Sequence, residues 1–205
     1  LRTIGQSSFC LCKSLKSATF ADGLEVLGID EYPSAGENFD LYYGVFSESA
    51  LESVVLPSTL QRIEYNAFQK CESLTSVCST KSHQSANNGG EPGTAILPES
   101  LQTIACCAFM GCTGIKRVVF PDGLRHIGGE SFSAAGLEEL ILPASVETVA
   151  ARAFSECKQL KRVQLNEGLK TLGEKVRFGG KELDGEAFFD SGIEHIRIPS
   201  SVKVI

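Results

Sequence analysis

The sequence predicts a β-rich solenoid of about seven stacked 22- to 23-residue repeats with short parallel strands, uncapped at both ends. Three observations carry this reading. Phe9, Phe46, Phe68, Phe109, Phe132, Phe154 and Phe188 recur along the chain, and where nothing intervenes they stand 22 or 23 residues apart. A fixed period of that length marks units that bury a continuous core only by stacking on copies of themselves. Between one Phe and the next, two apolar runs return in the same order, as in Ile115-x-x-Val118-x-Phe120-Pro121 followed by Leu124-x-x-Ile127. Length and a composition of 42% hydrophobic and 21% charged residues agree with one domain over residues 1–205 rather than two globules.

Each element follows from its slots. The first run, Leu-x-x-Val-x-Leu, is a short strand that Pro ends, because Pro has no N–H to give to a ladder. The second run, Leu-x-x-Ile, is shorter still. Neither stands alone, but in register on equivalent runs both form parallel sheets whose apolar side chains line one core. At the start, Leu1-Arg2-Thr3-Ile4-Gly5 reads as a second strand without its first half, and Ser201-Val202-Lys203-Val204-Ile205 stops at the same slot. Ends of this kind expose core, so the chain is expected to be part of a longer array. A missing leader or initiating Met therefore says nothing of compartment.

The residues Leu97-Pro98 through Ile104, Ala108-Phe109, Cys112 and Ile115 spell Leu-Pro-x-x-Leu-x-x-Ile-x-x-x-Ala-Phe-x-x-Cys-x-x-Leu. This pattern resembles the BspA-like type of leucine-rich repeat, over nearly the whole chain outside three insertions. The resemblance implies a leucine-rich-repeat solenoid with an adhesive or protein-binding role and no shared active site.

The insertions lie at residues 28–45, 79–95 and 173–186. The first is acidic and aromatic, with Tyr32, Phe39, Tyr42 and Tyr43 as partner-binding candidates, since aromatic side chains supply large contact area at interfaces. Their bland use is to cover the solenoid edge. The second, rich in Ser, Asn and Gly, has the composition of a mobile linker after a first strand. The third mixes Lys175, Arg177 and Lys181 with Glu182 and Asp184.

The outward face of the first strands follows from alternation. One column reads Ser17, Ser53, Ser76, Arg117, Glu139, Arg162 and His195; the next reads Thr19, Val55, Cys78, Val119, Ile141, Gln164 and Arg197. In the second half of the first column the charges alternate, so stacking about 4.8 Å apart pairs opposites and neutralises the face. In the other column, Val55, Cys78, Val119 and Ile141 are expected as an exposed apolar stripe over four consecutive repeats, beside Arg117. Such a stripe is the best binding candidate, because contiguous exposed apolar surface marks interaction sites. Its bland alternatives are shielding by the second insertion and β-propensity at a tolerant position.

Cys12, Cys71, Cys112 and Cys157 share one slot, three residues after the Phe, where other repeats carry Ser49, Ala135 and Ser191. That exchange set specifies a small buried residue. Cys106 and Cys107 are expected to face opposite ways along a strand. No Cys-x-x-Cys occurs, so neither metal nor cofactor is expected. Unpaired thiols favour a reducing compartment, whereas the resemblance allows a cell surface.

Catalysis is not expected. His83, His126 and His195 sit at unlike slots, and Gly179-Gly180-Lys181 lacks both the following Ser or Thr and the first Gly of a phosphate loop. A net charge of −6 opposes nonspecific nucleic-acid binding, and no run reaches the roughly 20 apolar residues of a membrane span. The sequence thus points to a non-catalytic interaction scaffold that binds a protein partner through its repeat face and inserted loops. A structural subunit of a large assembly and a cell-surface adhesin are the alternatives; oligomeric state is not legible.

Overall fold

The computed structural model describes residues 1–29, 43–83, 91–178 and 181–205. In chain order the elements are β1 (Thr3–Ile4), β2 (Ser17–Thr19), β3 (Val26–Leu27), β4 (Ser53–Leu56), β5 (Arg62–Ile63), β6 (Ser76–Ser79), the single helical turn α1 (Thr80–His83), β7 (Thr94–Ile96) and β8 (Thr103–Ile104). They continue as β9 (Arg117–Val119), β10 (His126–Ile127), β11 (Glu139–Ile141), β12 (Thr148–Ala150), β13 (Arg162–Gln164), β14 (Thr171–Glu174), β15 (Val176–Phe178) and β16 (Lys181–Leu183).

The second runs form one parallel sheet of seven strands, β1-β3-β5-β8-β10-β12-β14. Equivalent slots pair in it without a slip from β3 to β12: Leu27 opposes Ile63, Ile63 opposes Ile104, Ile104 opposes Ile127 and Ile127 opposes Val149. Register is held by burial, since a one-residue slip would turn every apolar side chain to solvent. The first runs form the opposite face in two parallel pieces, β2-β4-β6-β7-β9 and β11-β13.

The phenylalanines form a third column between the two faces. Phe9, Phe46, Phe68, Phe109, Phe132, Phe154 and Phe188 stack in that order with centroids 5.1–5.6 Å apart and ring planes within 16°. Each but Phe46 sits on an arc whose flanking residues two before and two after have positive φ, as at Asn66 and Lys70, Cys107 and Gly111, Glu130 and Ala134, and Arg152 and Glu156. This alternation aims every second N–H at the next arc. Asn66, Phe68 and Lys70 donate to the carbonyls of Cys106, Ala108 and Met110 at 2.7–3.2 Å. The arcs thus carry a backbone ladder of their own, which satisfies donors that burial would otherwise leave unpaired.

The second insertion departs from expectation. Instead of a linker up to Ala95, it carries its own first strand: Thr94 and Ala95 belong to β7, which pairs Ser76 to Thr94 on one side and Thr94 to Arg117 on the other. One coil therefore crosses the first-strand face twice while adding a single Phe and a single second strand, since Phe68 stacks directly on Phe109 and β5 pairs directly with β8. The face gains a rung of about 4.8 Å that the rest of the solenoid lacks. Of the insertion at 79–95 read as mobile, residues 84–90 lie outside the described residues.

The third insertion is not an irregular loop but an antiparallel hairpin, β15 against β16, with Val176 opposite Leu183. It packs back on the repeats: a side chain at Gly129 would run into Val176. At its base Arg152 grips the Glu186 carboxylate with two nitrogens at 2.7 and 2.9 Å. Beyond β13 the slots of His195 and Arg197 lie in a segment without strand pairing, contrary to the seven-rung column expected there.

Candidate functional site

The first-strand face breaks between β9 and β11. Glu138 N–H donates to the Lys116 carbonyl at 2.9 Å, and from there the strands belong to separate sheets. Over this seam lies an open groove of about 670 Å³. Its apolar lining is Val118, Val119, Phe120, Ile141, Leu142 and Pro143, and its polar lining comes from Glu91, Thr94, Arg117, Asp122, Glu139 and Asn166. Val119 and Ile141, at the ends of β9 and β11, are 52% and 53% exposed, which is unusual for large β-branched apolar residues in a strand. Phe120, buried below them, packs near-perpendicular to Phe132 with ring centroids 5.8 Å apart, so the groove floor is continuous with the core.

Charge along the groove is laddered. Arg117 contacts Glu91 at 2.6 Å and Glu139 at 3.8 Å, and Glu139 contacts Arg162 at 3.2 Å. The sequence pairing of Arg117, Glu139 and Arg162 holds, with Glu91 as an unforeseen partner. These pairs are exposed and contribute about 0–1 kcal/mol each; their effect is to fix the groove rim.

The stripe needs correction. Val55 opposes Cys78 as expected, but β7 inserts Ile96 before Val119, so the four named residues are not on consecutive rungs. Cys78 is 3% exposed, not outward and open. The one-turn α1 packs on β6 and β4, and the Cys78 thiol points to the Val54 carbonyl at 3.8 Å. Shielding by the second insertion therefore removes the Cys78 end, leaving the Val119 and Ile141 end open. Ile96 and Phe120 were not foreseen, although Thr94-Ala95-Ile96-Leu97-Pro98 fits the first-strand slots. Tyr32, Phe39 and Tyr42 lie outside the described residues, and Tyr43 is half-buried, its carbonyl accepting from Ser7 Oγ at 2.9 Å.

The thiols lie elsewhere. None of the eight is in a disulfide, and Cys71, Cys112 and Cys157 are wholly buried in their common slot. Each donates to the carbonyl of a stacked Phe, at Phe46, Phe68 and Phe132, over 3.0–3.1 Å. Burial pushes the Cys71 thiol up to about 11 and Cys157 to about 12, and holds Cys112 well above its ordinary range. Cys12 in the same slot is only half-buried. Cys106 and Cys107 are not in a strand; they occupy an arc, Cys107 at positive φ and buried, Cys106 half-buried. His126 faces out from β10 with Nδ1 2.8 Å from Thr148 Oγ1, and His195 is exposed beyond β13. Among the described residues no cluster of His, Cys, Asp and Glu is arranged to hold a metal, and no helix is long and apolar enough to cross a membrane.

Comparison with known proteins agrees with this architecture. The family model for the BspA type leucine rich repeat region matches six copies over residues 1–32, 40–89 and 93–205. A leucine-rich repeat protein of T. pallidum is 27% identical, with a TM-score of 0.53 over 88% of this chain and 71% of that one. A leucine-rich repeat protein from Bacteroides ovatus is 20% identical, with a TM-score of 0.51; the alignment covers 88% of this chain but only 53% of that one, and it shows the fold alone. No curated protein matches the chain. With nearly every residue inside matched repeats, and with the Phe column and paired parallel faces those repeats prescribe, the chain belongs to the BspA-type leucine-rich repeat family.

Proposed function

We propose that this chain is a non-catalytic scaffold that binds a protein partner on its first-strand face, at the groove over the β9 and β11 seam. The observation that carries the reading is the apolar groove itself, with Val119 and Ile141 half exposed above a floor of Phe120 and Leu142. Exposed β-branched residues over a continuous apolar floor gain from being covered. At the rim Glu91 and Glu139 are spread along a ladder and tied to guanidinium groups, an arrangement suited to fixing a surface rather than to moving protons in a cleft.

Capture of the native protein with crosslinking tests this. Lys116 adjoins β9 at the seam and Lys161 adjoins β13, one rung beyond it on the same face, whereas Lys170 and Lys203 stand beside the second-strand face. A stoichiometric protein crosslinked through Lys116 or Lys161 supports the reading. A partner crosslinked only through Lys170 or Lys203 places binding on the other face and overturns the assignment.

A further inference from the structure

Resting on that reading, we infer that the groove takes an amphipathic helix of the partner, lying along the solenoid axis and across the strands, with basic residues on its flank. Two exposed apolar residues line the groove one per rung, Val119 on β9 and Ile141 on β11, and the half-buried Ile96 on β7, directly opposite Val119, continues the row beyond the groove. Three rungs at about 4.8 Å span roughly 9.6 Å. A helix presents residues i, i+3 or i+4, and i+7 on one face over about 10.5 Å. An extended peptide laid the same way offers alternate side chains every ~6.6 Å, so three of them span about 13 Å and fall out of step. Insertion of a strand between β9 and β11 is opposed by the bond from Glu138 N–H to the Lys116 carbonyl, which keeps the two together.

Charge selects the flank. Glu91, Asp122 and Glu139 line the groove against one cation, Arg117, which is already committed to Glu91 and Glu139. Asp122 makes no ion pair among the described residues and stands exposed at the groove edge. A Lys or Arg beside the helix's apolar stripe meets that carboxylate, whereas an acidic flank is repelled. Helix-in-groove docking of this kind reads partners through their i, i+3, i+4 and i+7 anchors.

The test is selection from a displayed random library of peptides about 16 residues long, enough for a four-turn helix. Wild-type chain is the bait, and the double variant Val119→Asp, Ile141→Asp is the counter-bait once its circular dichroism melt matches wild type; Val119→Ser, Ile141→Ser replaces it otherwise. The expected winners carry apolar residues at i, i+3 or i+4, and i+7 with Lys or Arg alongside. As synthetic peptides they should bind the variant at least about tenfold more weakly, a loss of about 1.4 kcal/mol, and bind Asp122→Asn less tightly than wild type. Winners with apolar residues at every second position overturn the helix while leaving the groove as the docking face. Winners indifferent to Val119 and Ile141 overturn both.

Discussion

Truncation of Phe132 to Ala tests whether the aromatic column is the axis of the core. Phe132 is wholly buried, stacked on Phe109 at 5.2 Å and Phe154 at 5.5 Å, with the Phe120 ring edge-on at 5.8 Å. Removing the ring forfeits its transfer free energy and leaves a cavity lined by three aromatic faces, together about 3–5 kcal/mol. Each lost aromatic pair accounts for about 0.5–1.5 kcal/mol within that range. Collapse is opposed by the arc backbone, which is pinned to its neighbours by Phe132 N–H on the Ala153 carbonyl at 2.8 Å and Phe109 N–H on the Ser131 carbonyl at 2.7 Å. Phe9 is the internal control: it is 37% exposed and, among the described residues, stacks on Phe46 alone, so Phe9→Ala should cost only about 1–2 kcal/mol. Urea unfolding followed by far-ultraviolet circular dichroism reads the difference, with a second probe confirming a single transition, because repeat arrays can unravel piecewise. A cost for Phe132→Ala below about 1.5 kcal/mol, or equal to that of Phe9→Ala, would refute the column as the core.

Deleting residues 76–93 joins Thr75 to Thr94 and brings Phe68 and Phe109 to 23 residues apart, the ordinary spacing; the shortened chain should fold with an unchanged circular dichroism shape, and an unfolded product would show that the extra rung is indispensable. Ala134 sits at φ 54°, where a Cβ costs roughly 1–2 kcal/mol, so Ala134→Gly should raise stability by about 0.5 kcal/mol after the entropic cost of Gly; a lowered urea midpoint would contradict the arc geometry. In native protein a thiol reagent should modify Cys10 and Cys12 well before Cys71, Cys112 and Cys157, read by peptide mass spectrometry. The folded thiols at Cys71 and Cys157 titrate above the unfolded value of 9.0, so their stabilising effect is complete below pH 9 and is lost as pH rises towards about 11 and 12. Stability that rises over that window would contradict their burial.

Much of this architecture was legible because its slots are filled by type. A Phe every 22 or 23 residues where nothing intervenes, a Pro closing four of the first strands (Pro57, Pro98, Pro121 and Pro143) and a small residue three after the Phe left one way to stack. The buried Cys71, Cys112 and Cys157 follow directly from their exchange with Ser and Ala. β7 was hidden because Pro92 and Ala95 stand where Leu and Val mark the other first strands, and a Ser, Asn and Gly run precedes it. Without β7, the stripe could not be counted rung by rung, and Ile96 went unnoticed. The hairpin had a sequence signal in the dipeptide Gly179-Gly180 between two short runs. The seam has none. Arg117, Glu139 and Arg162 alternate across it as if the ladder were unbroken, so the groove that follows from the split is a property of the assembled rungs.

The decisive measurement is the affinity of the crosslinked partner, once isolated, for wild-type chain and for the Val119→Asp, Ile141→Asp variant, by calorimetric titration. The account predicts binding weakened by at least about tenfold, or about 1.4 kcal/mol, with the thermal melt of the free chain unchanged. Equal affinity for the two proteins, both fully folded, would contradict it.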